Sequence, residues 1–340
     1  MGREQNIKMA NMGFICSLFV VCQHLPNMTG VESISYWIGK LIFNGLCQIA
    51  VPYFFIASGY MLARHVDERG WWLNALSTRF KSVVCPFWMW NLLYFFFGMA
   101  LSSIADYLHG GSNLANCLSL HSIARVSGFH FLERPFLIQF WYLRSLFLFV
   151  VVSPIFVWVI GRRKWCLLCL VSLFLLGLLF PPAFTSRACF DIFRTYTFSF
   201  YGLFWFVLGI ALRRFPVKFQ INKLISVFAL FISLLILILD VPSVTFHVPF
   251  ALIGVWGMMP EHAIGGLLPL CSFEIYATHG FVIKLLYCFG LKKVDTDVAM
   301  IIQCIVVFSV TILGSIGLAR FFPGWSRCAM LYTKRREDAA

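Results

Sequence analysis

Apolar runs of membrane-spanning length recur along the whole 340-residue chain, and this feature limits the fold more than any other. An α-helix needs about 20 mostly apolar residues to cross the hydrocarbon core of a bilayer. The mean hydropathy is +0.84. Only 12% of the residues are charged, well below the roughly 25% of soluble domains. The chain is therefore predicted to be all-α, a polytopic membrane helical bundle.

About ten transmembrane helices fit the sequence, and they form one predicted integral-membrane domain over residues 1–340. The predicted spans are Met9–Pro26, Leu41–Ala63, Val83–Ala105, Phe136–Ile160, Trp165–Pro182, Phe198–Leu212, Lys223–Leu239, Phe246–Met259, Leu267–Phe289 and Val298–Ala319. A long polar loop, Asp106–Pro135, separates the third span from the fourth, and a C-terminal tail of about 321–340 follows the tenth.

Lysine and arginine residues set the predicted orientation. With a cytoplasmic N-terminus, 18 of the 27 basic residues fall in cytoplasmic segments, as the positive-inside rule requires. An even number of spans returns the C-terminus to the cytoplasm as well. The basic residues behind the net charge of +13 are thus explained by membrane topology, and no nucleic-acid partner is predicted. The predicted surroundings of the chain are membrane lipid.

Ionisable side chains inside the predicted spans are the first candidates for chemistry, because such groups are costly in a bilayer and usually face a cavity or one another. His24 and Arg144 come at similar depth, in the outer half of the first and fourth spans. His279 lies near the middle of the ninth span and Glu274 in its inner half. Imidazole can accept and return a proton at neutral pH, so His24 is a candidate general base.

Six further residues would complete a polar track from the cytoplasm to the outer half of the bilayer, if the helices face one another. They are Ser58 and Tyr60 in the inner half of the second span, Arg79 and Lys81 at the cytoplasmic entrance of the third, and Trp141 and Tyr142 in the fourth. No spacing of histidine, cysteine or carboxylate residues predicts a metal site.

Structural roles stay open for the same residues at this point. His24 could reach outward at the membrane interface, and Arg144 could form a structural ion pair. Trp141 and Tyr142 could belong to an aromatic belt. His279 could be a hydrogen-bonding residue in helix packing.

Five segments carry motifs in a fixed order. They are FICSLFVVCQH, ending at His24; VPYFFIASGY, ending at Tyr60; Arg79-Phe80-Lys81, followed by Pro86 and Trp90; FWYLR, ending at Arg144, with Pro154; and SFEIYATH, ending at His279. Together they resemble the acyltransferase-3 family of polytopic membrane acyltransferases, over nearly the whole chain. Two positions differ from the family's pattern. Gly13 stands where arginine or lysine is common, eleven residues before His24, and Glu274 stands where glycine is frequent.

The resemblance implies a membrane-bound O-acyltransferase. Its co-substrate would be cytoplasmic acyl-CoA, most often acetyl-CoA, and its acceptor a hydroxyl of a glycan or lipid-linked glycan of the cell envelope or of an exported polysaccharide. A bacterial inner membrane is the implied location, and no metal is expected. The implied roles are catalysis by His24 and Arg144, substrate binding by Trp141, Tyr142, Ser58, Tyr60, His279 and Glu274, and binding of the CoA phosphates by Arg79 and Lys81.

Two alternatives from other functional classes stay open. Intramembrane histidine and arginine also serve the proton and anion pathways of a transporter or flippase, although the sequence has no visible inverted repeat of the kind that transporters use. A non-catalytic partner in polysaccharide assembly is the other alternative, and Gly13 favours it because the usual basic residue is missing there.

Overall fold

The computed structural model describes residues 3–25, 34–109, 138–180, 199–216, 221–239, 244–264, 271–288 and 297–321. Every regular element in these ranges is helical, which confirms the all-α prediction for them. The α-helices are α1 (Arg3–Gln23), α2 (Ile34–Ile38), α3 (Ala50–Leu62), α4 (Trp71–Arg79), α5 (Cys85–His109), α6 (Trp141–Ile160), α7 (Arg163–Leu179), α8 (Phe200–Arg214), α9 (Lys223–Ile238), α10 (Val244–Met258), α11 (Ser272–Cys288) and α12 (Asp297–Phe321). Most of the predicted polar loop and all but one residue of the predicted tail lie outside the described residues.

Several helical segments have the length and composition of membrane spans. Among the described residues they are Glu4–Gln23, Tyr36–Leu62, Trp71–Ala100, Trp141–Ile160 and Ile301–Phe321, with two shorter apolar helices at Lys223–Ile238 and Phe246–Met258. Each of the ten predicted spans overlaps a helix, but the number that cross a bilayer and the side of the termini stay predictions.

Large apolar side chains are exposed on the outer faces of these helices. Trp158 on α6, Leu167 on α7, Leu224 on α9 and Leu313 on α12 are all more than two-thirds exposed. Extended apolar surface of this kind marks contact with another apolar phase, and a lipid bilayer supplies one. The exposed faces therefore agree with the hydropathy of the sequence.

The helix of the predicted third span begins earlier than the sequence indicated. The expected start was Val83, whereas α4 begins at Trp71 and continues through a π-helical turn, Phe80–Val84, into α5. Polar side chains between Trp71 and Val83 lower the hydropathy, but they do not interrupt the backbone hydrogen bonds that define a helix. Arg79 and Lys81 therefore lie inside a continuous helical segment.

The described chain forms two compact units, and the prediction of a single domain stays a prediction. The first unit comprises Met1–Ala57 and Val217–Arg327. In it α1 packs against α11 and against the 3-10 turn Leu46–Ile49, α11 packs against α12, and α9 against α10. Its core contains the side chains of Phe14, Val21, Cys22, Leu25, Phe43, Cys47, Cys271, Ile275 and Val307.

The second unit comprises Ser58–Pro216 and Cys328–Ala340. In it α6 packs against α4, α7 and α8, and α7 packs against α8. The rings of Phe149 and Phe206 meet in its core at 5.8 Å between centroids. Because α3 ends in this unit, the Ser58-Gly59-Tyr60 motif packs against α8.

Gly59 allows the end of α3 to approach α8 closely. A Cβ atom at this position would collide with the backbone carbonyl oxygen of Phe206 and lie 3.2 Å from the amide nitrogen of Ile210. We expect Gly59→Ala to lower the free energy of unfolding by about 1–3 kcal/mol, the cost of overpacking. The matched control is Gly314→Ala on α12, where a Cβ meets no atom within 4 Å. Thermal unfolding in detergent should show a lower midpoint for Gly59→Ala alone, and equal midpoints would contradict the close approach.

Candidate active site

His24 lies at the end of α1, in the turn that closes the helix. Its amide donates to the Val21 carbonyl (3.0 Å), and the Gln23 side chain donates to the carbonyl of Cys47. Pro26 follows two residues later and cannot continue a helix, because it has no amide hydrogen. The His24 side chain is exposed. The sequence thus presents an accessible imidazole on a helix end that the Gln23 contact fixes.

The histidine of α11 lies directly against His24. The ring centroids of His24 and His279 are 5.2 Å apart, and the ring planes differ by 23°. His279 is only 1% exposed, and the tilted ring of Tyr276 lies 6.2 Å from it. Two residues that the sequence predicted for the site, 255 positions apart, therefore come together within the first unit.

Glu274 places a second buried polar group on α11. It is 4% exposed, and neither carboxylate oxygen has a hydrogen-bond partner among the described residues. The hydroxyl of Thr278 donates to the backbone carbonyl of Glu274 (2.8 Å) and bonds with the hydroxyl of Ser315 on α12 (3.1 Å). A buried polar group without a partner is costly, so a bound hydroxyl donor would stabilise Glu274.

Asn11 is a structural residue of α1 that the sequence interpretation missed. Its amide nitrogen donates to the carbonyls of Pro260 (3.0 Å) and His262 (2.8 Å), and its oxygen accepts from the amide of Ile264 (3.1 Å). The segment that follows α10 is thereby fixed to α1. An amide side chain in an apolar span was the available signal, since such groups join membrane helices by hydrogen bonds.

The position where the family commonly has a basic residue has room for one. A Cβ atom at Gly13 would meet no atom within 4 Å. On the same helix, the Lys8 ammonium lies 5.4 Å from the centroid of the Trp256 ring, within the range of a cation–π contact. Gly13 is therefore not required by close packing.

Two of the predicted residues meet in the second unit, and a third acts on one of them electrostatically. The hydroxyls of Ser58 on α3 and Tyr142 on α6 are 3.4 Å apart. The Arg79 guanidinium lies close enough to the Tyr142 hydroxyl for an electrostatic interaction with it. The sequence interpretation placed Ser58 in the inner half of the membrane and Tyr142 in the outer half, whereas their contact puts both hydroxyls at one depth.

The other predicted site residues of α6 and of the π-helical turn differ in their exposure. Arg144 is buried. Trp141 is half-buried, and residues three apart on a helix share a face, so Trp141 and Arg144 lie one above the other. Lys81 is exposed. A charged side chain as deeply buried as Arg144 is rarely placed without a role, because its desolvation is costly.

Tyr60 contacts an arginine that the sequence interpretation did not select. A terminal guanidinium nitrogen of Arg213 on α8 donates to the Tyr60 hydroxyl (3.4 Å), and the guanidinium carbon lies 5.5 Å from the centroid of the ring. Arg213 lies in the basic last turn of α8, which the positive-inside pattern already explains, so its pairing with Tyr60 had no separate signal in the sequence.

The predicted site residues fall into both units. His24, His279 and Glu274 belong to the first unit, and Ser58, Tyr60, Arg79, Lys81, Trp141, Tyr142 and Arg144 belong to the second. Within each unit, the helices bring distant polar positions of the sequence into contact.

Apolar helices of spanning length with buried polar side chains define the class of the molecule, an integral membrane protein. The chain belongs to the acyltransferase-3 family, because the family model, described as an acyltransferase domain, matches residues 12–320. This match confirms the resemblance and indicates acyl transfer to a hydroxyl. None of the curated proteins or solved structures compared with the chain matches it.

Proposed function

We propose that this protein transfers an acyl group from cytoplasmic acyl-CoA to a hydroxyl of a glycan or lipid-linked glycan, with acetyl as the first candidate for the acyl group. The acceptor belongs to the cell envelope or to an exported polysaccharide, and the membrane is a bacterial inner membrane. The observation that carries the proposal is the exposed imidazole of His24, stacked on the buried ring of His279 at 5.2 Å. Membership of the acyltransferase-3 family supports it.

His24 would act as the general base of the transfer. It takes the proton of the acceptor hydroxyl while the hydroxyl oxygen attacks the thioester carbon of acyl-CoA. The carbon–sulfur bond then breaks, and the CoA sulfur leaves with the proton that His24 returns. The products are the acyl ester and free CoA. A positioned base of this kind contributes about 10²–10⁴-fold to a rate.

Polar residues of the second unit supply the other proposed roles. Arg144 would stabilise the negative charge that develops on the thioester carbonyl oxygen. Stabilisation of such a charge in a site without water has a large effect on the reaction rate. Arg79 and Lys81 would bind the phosphates of CoA through charge-assisted hydrogen bonds. Sugar binding is assigned to Ser58, Tyr60, Trp141 and Tyr142.

In the first unit, Glu274 would bind the acceptor. Neither of its carboxylate oxygens has a hydrogen-bond partner among the described residues, and sugar hydroxyls are suitable donors for a carboxylate. Glycine, which is frequent at this position in the family, offers no such acceptor.

The test is transfer of radiolabelled acetyl from acetyl-CoA into envelope glycan, with membranes that carry wild type or His24→Ala. Label in the wild type and none in the variant supports the proposal. Transport of substrate without acylation would indicate the transporter alternative. Restoration of glycan modification in a deletion strain by His24→Ala would indicate a non-catalytic partner.

Gly13→Arg is expected to strengthen binding of the acyl donor. The added side chain has open space at its Cβ, and one charge-assisted hydrogen bond to a phosphate lowers KM for acyl-CoA by about tenfold. The measurement is KM for acetyl-CoA in membranes. Gly13→Gln, which adds a shorter polar side chain without the charge, is the control and should leave KM unchanged. An unchanged KM in Gly13→Arg would show that position 13 does not face the donor here.

A further inference from the structure

We propose that His279 is a positioning residue, whose ring supports His24, rather than a residue that binds substrate. This inference rests on the proposed role of His24 as general base. It replaces the substrate-binding role that the resemblance to the family implied for this buried histidine.

The surroundings of His279 argue against the other two roles considered for it. It is 1% exposed, and the His24 ring stacked on it would meet a sugar first. Neither ring nitrogen has a hydrogen-bond partner among the described residues, so no hydrogen bond of this side chain joins the helices there. Within the part of the chain that the structure describes, its ring has aromatic contacts with His24 and, at 6.2 Å, with Tyr276.

The stacked arrangement matches what a general base needs. A protonated His279 would bury two N–H donors without partners, so the uncharged ring is the form that this environment favours. When His24 takes the proton of the acceptor, a positive charge forms next to the face of an uncharged aromatic ring. A cation is attracted to such a face. The flat contact also restricts rotation of the His24 ring and keeps its nitrogens in one orientation.

The position of His279 is fixed by its own helix. The preceding residue, Thr278, bonds with Ser315 on α12, while Ile275, one turn earlier, lies in the core cluster beside residues of α1. The α11 helix therefore contacts α12 and α1 close to His279, and the support under His24 is rigid.

The test compares His279→Leu, which removes the flat ring, with His279→Phe, which keeps it without the nitrogens. We expect His279→Leu to lower kcat for acyl transfer about tenfold, with KM for the acceptor unchanged. His279→Phe should retain most of kcat, since the face of a phenyl ring attracts a cation as the face of the uncharged imidazole does. Leu285→Ala, at an exposed position of the same helix, is the control and should keep kcat. A raised KM with unchanged kcat, or equal losses in the Leu and Phe variants, would overturn the inference.

A second measurement does not depend on activity. Diethyl pyrocarbonate modifies exposed imidazole, and peptide mass spectrometry follows its reaction at His24. In His279→Leu the rate should rise about twofold, because the His24 ring loses its flat support and its nitrogens, which the reagent acylates, turn more freely toward solvent. His279→Phe and Leu285→Ala should match wild type. Equal rates in all four proteins would overturn the inference. If wild type transfers no acyl group from any acyl-CoA, the proposed function fails, and the labelling rates still decide whether His279 supports His24.

Discussion

Replacement of His24 by alanine is expected to reduce acyl transfer by about 10²–10⁴-fold, the contribution of a positioned general base. The side chain is exposed, so its removal leaves no cavity in the core and the protein should accumulate in the membrane at the wild-type level. His24→Gln keeps a polar side chain that cannot take the proton, and it should be as inactive as His24→Ala. The measurement is kcat for acetyl transfer in membranes with equal amounts of protein.

The control for this prediction is another exposed histidine of the first unit. His262 follows α10, and its backbone carbonyl, not its side chain, accepts the hydrogen bond from Asn11. His262→Ala should therefore retain full activity. If His24→Ala is about as active as His262→Ala, His24 is not the base, and its location at the end of α1 has no role in catalysis.

The sequence was sufficient to select His24 and His279 but not to show that they touch. Each was selected because an ionisable group in an apolar run is costly, and that argument treats one helix at a time. Their contact depends on how α1 packs against α11, which involves residues about 250 positions apart. Hydropathy contains no information on which faces of two helices meet.

Depth in the membrane was the weaker part of the prediction. Counting residues from the ends of apolar runs placed Ser58 and Tyr142 in different halves, yet their hydroxyls are 3.4 Å apart. The count assumes that a helix begins where hydropathy rises, and α4 already begins at Trp71, twelve residues before the expected start. Helices of different length and start cannot be aligned in depth from hydropathy alone.

Residues of ordinary appearance were the ones that the sequence could not select. Arg213 matches the positive-inside pattern at the end of α8, and only the fold shows that its guanidinium lies over the Tyr60 ring. Gly59 is one of many glycines, and only the approach of Phe206 explains why a larger side chain does not fit there. Such roles depend on a partner that is distant in sequence.

Replacement of Arg144 is the second substitution with a large expected effect. Arg144→Met should lower kcat by about 10²–10³-fold, the usual result of removing a group that stabilises a developing oxyanion. Methionine keeps much of the apolar stem that a buried arginine packs against its neighbours, so the fold should survive the change. Arg144→Lys keeps the charge but loses the planar fork of donors, and the two side chains are not interchangeable. Its kcat should fall between those of wild type and Arg144→Met.

The comparison of kcat with stability separates catalysis from a structural ion pair at Arg144. A group that acts only in the transition state changes kcat and kcat/KM equally and leaves KM unchanged. If Arg144 instead belongs to a buried ion pair, its removal leaves the partner charge buried and unpaired. The unfolding midpoint in detergent should then fall by an amount that corresponds to about 3–5 kcal/mol. A low midpoint with intact kcat in Arg144→Met would assign Arg144 to the fold. An intact midpoint with low kcat would assign it to the reaction, because the loss would then not come from a weakened fold.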